Sequence, residues 1–530
     1  MKNHIKTAVV YDKWLSTLGG GEVVACNIAK ALLDEGYQVT FISGKLVDPK
    51  EIKNKLNINV SNAKFVETWN NDREVQEYTH DKDIYVNASF MDYTTGLAKK
   101  NFYYTSFPTE PYNSLKTYLL NNIIYPKLVN YIKPIEFISD PISITFQNTN
   151  TLYGIGSQLK LAFSYLKIGQ KYNLKFIIFL ERFNKTTLNN LSWEVVNAKT
   201  ESNPYIKVDH NHNIIKINIS LTPQKSTIYL KIRNEAKDVF LIDPRVQTNN
   251  LINLISKPIF NKVNSRMRAG IFSNVAEKMK RFNVIFANSN FTSHWIKKYW
   301  KLNSTVLYPP VKLIENKNNT IKENIICSVG RFFTHGHGKK QEIMVQAFKK
   351  MVDEGLMGWE LHLAGGLSKD NESTEFAKSL ENMAKKYPIY FHFNQSRDFI
   401  ENLYLKSKIY WHAAGFGENP NKKPIKFEHF GITPIEAMSA GSIPVLYNGG
   451  GLPDSINSLQ LSSEEYIFNT ISELIKKTNI IILDYNNHLN KISNIQDKIA
   501  KLYDEKVFKK EFIKLIKYDK QQESNCRQDS

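Results

Sequence analysis

Two glutamates, Glu428 and Glu436, stand eight positions apart in the segment FEHFGITPIEAMSAG. Gly431 and Pro434 lie between them and disfavour a continuous helix. The pattern therefore predicts a helix that starts at Pro434 with Thr433 as its N-cap. Thr433 and Glu436 then match a capping box, in which the glutamate bonds back to the N-cap amide. The same helix start, with its free amides, could instead bind a phosphate group, and the two roles are compatible.

Basic residues that suit a diphosphate occur upstream, in the segment SVGRFFTHGHGKKQEIM. Arg331 follows a predicted strand, and Lys339 and Lys340 start a predicted helix. An arginine binds phosphate through a bidentate fork and a lysine as a point charge, so the set could bracket a diphosphate. Each residue alone is ordinary surface charge, but the carboxyl edge of a parallel sheet favours a ligand site. His335 and His337 lack partner carboxylates, and no metal site is predicted.

A glycine loop follows the first predicted strand, TAVVYD. Gly19, Gly20 and Gly21 let the backbone approach a ligand just before a predicted helix that begins near Val23 and ends at Gly36. The loop does not match the dinucleotide fingerprint and has no Walker lysine. A plain tight turn is therefore an equal alternative.

The charge of the chain indicates an anionic partner. Its 530 residues include 70 lysines and arginines against 51 acids, a net charge of +19. The partner could be nucleic acid, acidic lipid or a phosphorylated substrate, unless the charge reflects compositional bias alone. No nucleic-acid-binding motif is present, so nucleic acid is not expected. The basic, apolar segment 113–134 could lie on an anionic membrane surface or form part of a core.

The sequence also bears on the compartment. No run approaches the roughly 20 apolar residues that cross a bilayer, and the start of the chain lacks the apolar stretch of a signal peptide. Cys26, Cys327 and Cys526 have neither metal-ligand nor disulfide spacing, which suits a reducing compartment. We therefore expect a cytoplasmic protein, either free or peripheral at the inner face of the membrane.

Hydrophobic patterning divides the chain into three kinds of segment. A βαβ start and a later series of five strands separated by helices predict two doubly wound α/β domains. Between them, two-residue alternation predicts a β-sandwich or jelly-roll-like insertion, with TPQKS as a hairpin turn. This alternation is clearest at Ile215, Ile217, Ile219 and Leu221. The predicted boundaries are 1–135 and 246–310 for the first domain, 136–245 for the insertion, 311–490 for the second domain, and 491–530 for a C-terminal helix and tail.

Together these motifs resemble the retaining GT-B glycosyltransferases of the glycogen-synthase-like group 1, family 4-like kind. The resemblance is carried by GGGE, FANSNFTSHWI, LYPPV, VGRF with KKQ, and EHFGITPIEAMSAGSIPV followed by NGGG. These motifs cover roughly 5–110 and 280–500 and leave out the β insertion. The resemblance implies two Rossmann-like domains that face a cleft, with the donor on the second domain and the acceptor on the first.

The resemblance also implies roles for individual residues. Glu428 is expected beside the transferred sugar or its phosphate, and Glu436 on the donor ribose. Arg331 and Lys339 match the pair that neutralises the leaving diphosphate, so these two residues and Glu428 are the implied catalytic residues. The loop between the two cations is about three residues longer than usual, which leaves Lys340 as a substitute for Lys339. Further implied donor contacts are Gly19, Gly20, Lys340, Gly431, Ile432 and Thr433.

One motif departs from the family pattern. Some relatives, notably the mannosyltransferases of lipid-linked oligosaccharide assembly, carry a His-aromatic-Pro motif near the sugar. This chain reads YYTSFPTEPY, with Ser106 at the corresponding place. The sugar-side role passes to Ser106 or Thr105, or another residue fills it.

The resulting prediction is a retaining glycosyltransferase of the hexosyltransferase type. It moves a sugar from a nucleotide-diphosphate sugar to a glycan or lipid-linked acceptor, in cell-surface polysaccharide or lipopolysaccharide biosynthesis. Fixed cations and helix amides stabilise the charge on the leaving diphosphate, so neither a metal nor another cofactor is expected. The alternatives are a non-catalytic carbohydrate-binding protein that acts through the β insertion and a basic nucleic-acid-binding protein.

Overall fold

The structure is a computed structural model of the chain. It describes residues 5–68, 72–110, 135–138, 144–147, 150–155, 157–164, 166–180, 191–209, 213–234, 239–247, 275–316, 319–333, 338–368 and 370–517. The predictions for 113–134, His335, His337 and Cys526 fall outside these residues. The chain divides into two compact units. The first unit consists of Met1–Val66, Thr79–Thr109 and Met279–Ser530, and the second of Glu67–Tyr78 and Glu110–Lys278.

The N-terminal part of the chain has the predicted βαβ start. The strands are β1 (Thr7–Tyr11), β2 (Gln38–Ser43), β3 (Lys64–Glu67), β4 (Ile84–Asn87) and β5 (Lys100–Thr105), and the helices are α1 (Gly20–Asp34), α2 (Pro49–Leu56) and α3 (Asp72–Thr79). Helix α1 begins at Gly20 rather than near Val23, because the Glu22 carboxylate accepts a hydrogen bond from the Gly19 amide at 2.6 Å. Gly36 follows its end with φ +80°, as predicted.

Antiparallel strands make up most of the described part of the second unit. They are β6 (Ile135–Phe137), β7 (Ile144–Gln147), β8 (Asn150–Gly154), β9 (Gln158–Phe163), β10 (Tyr172–Leu180), β11 (Ser192–Val196), β12 (Ala198–Thr200), β13 (Tyr205–Asp209), β14 (Ile214–Pro223), β15 (Ile228–Arg233) and β16 (Val239–Gln247). One sheet has the order β12-β14-β10-β16-β8-β7, with β13 also paired to β14, and the other has the order β11-β15-β9-β6. Apolar side chains of both sheets form one core, so the strands make a sandwich.

The predicted hairpin at TPQKS is wrong. Strand β14 pairs with β10, whereas β15 pairs with β9 and β11, so this turn connects the two sheets. The predicted alternation itself is confirmed, since Ile217 and Ile219 are each 2% exposed. Their side chains share a core with Leu230 of the opposite sheet. Because β14 and β15 belong to opposite sheets of the sandwich, they are too far apart to pair through backbone hydrogen bonds as the two strands of a hairpin do.

The first parallel sheet is completed after the sandwich. The added elements are α4 (Val275–Met279), β17 (Val284–Ala287), α5 (Asn290–Trp300) and β18 (Thr305–Val306). The sheet order is β18-β17-β5-β4-β1-β2-β3. Strands β1 and β4 are almost fully buried, as expected when helices cover both faces of a parallel sheet.

The second parallel sheet confirms the other predicted α/β domain. Its strands are β19 (Glu323–Val329), β20 (Glu360–Gly365), β21 (Ile389–Phe393), β22 (Ser407–His412), β23 (Ile443–Tyr447) and β24 (Ile467–Phe468), and the intervening helices are α6 (Gln341–Asp353), α7 (Asn371–Ala384), α8 (Arg397–Lys406) and α9 (Ile432–Ser439). The order β21-β20-β19-β22-β23-β24 is the doubly wound order 3-2-1-4-5-6. In such a sheet, ligands bind at the carboxyl ends of the strands where the order reverses.

Helices close the C-terminal part of the first unit. They are α10 (Leu452–Ser458), α11 (Ser463–Tyr466), α12 (Ile471–Leu483), α13 (Tyr485–Ser493), α14 (Gln496–Tyr503) and α15 (Glu505–Lys517). Phe508, Phe512 and Ile516 of α15 are buried in the core of the first parallel sheet. The last helix therefore joins the core of the N-terminal domain, which the linear order of the sequence did not indicate.

Candidate active site

The carboxyl edge of the second sheet brings together several residues that the sequence singled out. Strand β19 leads into Gly330 and Arg331, and β22 ends at His412. Glu428 lies on the connection between β22 and α9, as predicted. Because the strands are parallel, these segments meet at one edge of the sheet.

The NGGG segment after β23 positions the backbone of Glu428. The Gly451 amide donates to the Glu428 carbonyl at 2.7 Å. A Cβ on Gly450 would lie 2.0 Å from that same oxygen, and one on Gly451 would lie 2.3 Å from the His429 carbonyl. Two backbones can approach this closely only where one of them lacks side chains. The close packing of these glycines therefore fixes the backbone position of Glu428.

The Glu428 carboxylate is paired within the site. Lys339 Nζ forms an ion pair with its Oε2, and His412 Nε2 lies 2.9 Å from the same oxygen. The lysine reaches it by crossing over Gly330, where a Cβ would lie 2.4 Å from Lys339 Cγ. The side chains of Lys339 and Glu428 are each 13% exposed. The pair is thus largely shielded from water yet open to a ligand.

The two adjacent lysines have different partners. Lys340 adopts φ 57° at the start of α6, and its Nζ lies 3.2 Å from Glu418 Oε1. The structure therefore brings Lys339, and not Lys340, to Glu428. Arg331 is exposed at the same edge, with its guanidinium 5.1 Å from the centre of the Phe333 ring.

The predicted capping box at Thr433 and Glu436 is wrong. Helix α9 begins at Ile432 instead of Pro434, and its N-cap is Gly431 with φ 98°. Only glycine adopts this backbone conformation readily, so the helix starts two residues earlier than Thr433 capping would allow. The Thr433 hydroxyl instead lies within hydrogen-bond distance of Tyr410 Oη, at 2.7 Å.

Glu436 points toward α8 rather than back to the helix start. Its Oε1 lies 2.7 Å from Arg397 Nη1, and Tyr404 Oη donates to its Oε2 at 3.3 Å. Glu436 is 5% exposed. Burial raises the pKa of the Glu436 carboxyl, and the Arg397 guanidinium opposes that rise. The two glutamates are therefore held by different partners.

The starts of helices α1 and α9 lie close together within the first unit. A Cβ on Gly20, the first residue of α1, would lie 3.8 Å from Ile432 Cδ1, at the first residue of α9. Both helix starts carry free amides and the positive end of a helix dipole. Helix starts of this kind favour a bound anion nearby.

The segment that contains Ser106 lies beside the loop that carries Glu428. The Ser106 carbonyl accepts a hydrogen bond from Thr292 Oγ1 at 2.8 Å. The next residue, Phe107, stacks on the His429 ring with centroids 4.4 Å apart. Ser289 Oγ donates to the His429 carbonyl. The strand end of the first sheet thus approaches the residue next to Glu428, and the sugar-side role of Ser106 stays a prediction.

Sequence reasoning missed His412 and Arg397. The only signal for His412 was a polar residue at the end of an apolar strand in KIYWHAAG, and Arg397 read as an ordinary first-turn residue of a helix. Among the residues that the structure describes, no three His, Cys, Asp or Glu side chains are grouped as metal ligands. Within the same residues, every helix is too short or too polar to cross a bilayer.

Comparison with known proteins places this site in a family. Residues 312–498 match the family model described as glycosyl transferases group 1. The chain is 22% identical over 290 residues to a GDP-Man:Man(3)GlcNAc(2)-PP-Dol alpha-1,2-mannosyltransferase of Dictyostelium discoideum, covering 51% of this chain and 54% of that protein. It is 26% identical over 211 residues to the alpha-1,3/1,6-mannosyltransferase ALG2 of Candida glabrata, covering 34% of this chain and 45% of that protein. The chain thus spans about half of the length of these relatives.

A solved structure shows the same architecture. The crystal structure of the Anabaena protein HepE in complex with UDP and glucose aligns with 97% of this chain and 100% of its own, with a TM-score of 0.50 and 12% identity. At this identity the likeness shows the fold alone. With the two parallel sheets described above, it confirms the predicted GT-B fold. This chain therefore has a GT-B fold, and its residues 312–498 form a domain of the glycosyl transferases group 1 family.

Proposed function

We propose that this protein transfers a sugar from a nucleotide-diphosphate sugar to a lipid-linked or other glycan acceptor, with retention of anomeric configuration. The observation that carries the proposal is the Lys339–Glu428 pair at the carboxyl edge of the second sheet. This edge is where doubly wound domains bind nucleotides. The neighbouring starts of α1 and α9 add a second set of donors suited to phosphate.

Different residues of the site act on the leaving group and on the sugar. When the bond between sugar and diphosphate breaks, negative charge develops on the diphosphate and the sugar becomes oxocarbenium-like. Lys339, Arg331 and the helix amides stabilise the leaving group. Glu428 contacts the sugar side. Retention follows the family resemblance, and the cations supply the charge that a metal would otherwise provide.

Glu436 can receive the donor ribose without losing its present partners. Its two oxygens already accept from Arg397 and Tyr404. A carboxylate offers about four lone-pair sites, so ribose hydroxyls can add to these bonds. In this chain Arg397 then stands beside the ribose and helps to orient the carboxylate that binds it.

The relatives suggest the first donor and acceptor to test. The Dictyostelium protein is named for GDP-mannose and for an acceptor on a diphosphate lipid. We propose GDP-mannose as the donor and a glycan on a diphosphate lipid as the acceptor, on the cytoplasmic face of a membrane. Cell-surface polysaccharide or lipopolysaccharide is a second acceptor class. The net charge of +19 favours an anionic lipid surface, which would concentrate the protein near such acceptors.

A thermal-shift panel tests the proposal. GDP-mannose, UDP-glucose, ADP-glucose and dTDP-glucose are added in the presence of EDTA to the wild type, Arg331→Ala and Lys339→Ala. A donor at a hundred times its dissociation constant should stabilise the wild type by about 2.7 kcal/mol. The matched control is Lys350→Ala, which removes an exposed lysine from α6, the helix that follows Lys339 and Lys340. We expect one nucleotide class to stabilise the wild type and the control but neither site variant.

The transfer reaction itself is tested with the stabilising donor and a short glycan on a diphosphate lipid. Nuclear magnetic resonance of the product reports the anomeric configuration. An inverted product contradicts retention while leaving the transferase assignment intact. If no nucleotide stabilises the wild type, the donor site is refuted, and a non-catalytic glycan-binding role of the sandwich becomes the better explanation.

A further inference from the structure

His412 is a buried link between strand β22 and the site. Its side chain is fully buried, and its Nε2 lies 2.9 Å from Glu428 Oε2. Its other ring nitrogen, Nδ1, lies 3.2 Å from Tyr410 Oη. The tyrosine hydroxyl in turn contacts Thr433 in the first turn of α9. Both ring nitrogens of His412 therefore have a partner, and these contacts orient Nε2 toward the Glu428 carboxylate.

The contact with Glu428 has a defined donor. A carboxylate only accepts hydrogen bonds, so the Nε2–H of His412 donates to it. Lys339 Nζ pairs with the same oxygen. Glu428 Oε2 is thus shared between a fully buried histidine, whose other ring nitrogen contacts Tyr410, and a partly exposed lysine on a flexible stem.

This sharing has a consequence for donor binding. If Lys339 neutralises the leaving diphosphate, it must turn away from Glu428 toward the phosphates. A shielded carboxylate that loses one of its partners becomes more costly to keep ionised. The bond from His412 persists while Lys339 moves, so Glu428 stays charged and in place.

We infer that His412 is a positioning residue. Its Nε2–H holds Glu428 on the sugar side when Lys339 leaves this carboxylate and binds the donor diphosphate. This inference rests on the proposed transferase function for the identity of the anion. Without the imidazole donor, Glu428 would retain Lys339 more tightly. Both donor affinity and turnover would then fall, even though His412 touches neither substrate.

Three variants separate positioning from general stability. His412→Phe keeps a ring of similar size but removes the donor. His412→Gln places an amide N–H near the position of Nε2 and should restore much of the function. His488→Phe is the matched control, because His488 is also buried, with Nδ1 2.9 Å from Tyr466 Oη and 3.8 Å from Glu465 Oε2. This second Tyr–His–Glu group lies on α13, outside the site.

Kinetics and binding give the expected result. Loss of one hydrogen bond to a charged group should lower kcat by about 10- to 100-fold in His412→Phe and raise the dissociation constant of the nucleotide. We expect His412→Gln to recover most of both values, and His488→Phe to match the wild type in both. Wild-type kinetics in His412→Phe overturn the inference. Equal losses in His412→Phe and His488→Phe also overturn it, because they indicate a general effect on the fold.

A second measurement does not depend on the nucleotide. The rate at which an amine-reactive reagent acylates Lys339 is followed by peptide mass spectrometry in each variant. A lysine that is held more tightly by a carboxylate is less available to the reagent and reacts more slowly. We expect slower acylation in His412→Phe than in the wild type and His412→Gln, and equal rates overturn the inference. Failure of every nucleotide to bind the wild type would refute the proposed function, while this rate would still decide the role of His412.

Discussion

Arg397 Nη1 lies 2.7 Å from Glu436 Oε1, and Arg397 Nε lies 2.7 Å from Glu401 Oε1. One guanidinium therefore joins the buried second glutamate of the pair to a more exposed carboxylate on its own helix, α8. Such a fork is planar and holds both partners in a fixed geometry. The second glutamate is thus oriented by α8 and not by the start of α9.

Removing this arginine should destabilise the protein. Arg397→Ala leaves Glu436 buried with Tyr404 as its neighbour, and an uncompensated buried group costs about 1–3 kcal/mol. Denaturant unfolding of the chain measures the change in free energy. Lys350→Ala removes an exposed lysine that pairs with Glu354, and it should change stability by less than about 0.5 kcal/mol. An equally small effect of Arg397→Ala would show that the ion pair does not stabilise the fold.

Glu436 should be required for donor binding. Glu436→Ala should abolish nucleotide binding, and Glu436→Gln, which keeps the size of the side chain, should weaken it by at least about tenfold, since the charge-assisted bonds to ribose are lost. Titration calorimetry with the stabilising nucleotide measures both. Glu401→Gln is the control because it removes the other partner of Arg397 and leaves Glu436 in place. Unchanged turnover in Glu436→Ala would refute the assignment of the ribose site.

Gly450 should be essential for the position of Glu428. Gly450→Ala introduces a methyl group 2.0 Å from the Glu428 carbonyl, so the loop must shift. We expect turnover to fall by about 100-fold or more, as is usual when a reacting group moves by an ångström. Gly358→Ala is the matched control, with φ +70° and no neighbour within 4 Å, so that it carries the backbone strain alone. Equal activity of the two variants would contradict the supporting role of NGGG.

The second unit should lose stability in acid through Glu67. Burial acts to raise the pKa of this carboxyl, but hydrogen bonds from Lys160 and Lys231 outweigh it and lower the pKa to about 2. Because the folded-state pKa lies below the unfolded value of about 4.3, the stabilisation is full above that value and is lost as pH falls toward 2. Glu67→Gln should therefore be less stable than the wild type at pH 6, with the difference shrinking toward pH 2.

Unfolding at several pH values measures this difference. Glu194→Gln, which changes an exposed glutamate of the same unit, is the control and should follow the wild type throughout. A constant difference between Glu67→Gln and the wild type from pH 6 to pH 2 would exclude linkage through this carboxyl.

Much of the fold could be read from the sequence because the signal was local. Apolar strands followed by amphipathic helices specify parallel α/β layers, and strict alternation specifies exposed and buried faces of an antiparallel sheet. Pairing between distant strands carries no such local signal. The alternation in β14 and β15 predicted two strands correctly but could not show that they belong to opposite sheets.

The same distinction between local sequence signals and long-range contacts applies to the site. The sequence by itself determined the residue types that can bind a diphosphate sugar, Arg331, Lys339, Glu428 and Glu436, together with the glycines that let backbones approach closely. Only the tertiary structure decided which groups meet. It placed Lys339 rather than Lys340 on Glu428, set His412 behind that pair, and turned Glu436 toward Arg397. Side-chain partners depend on where separate strands end in space, and the interval between residues along the chain does not encode that distance.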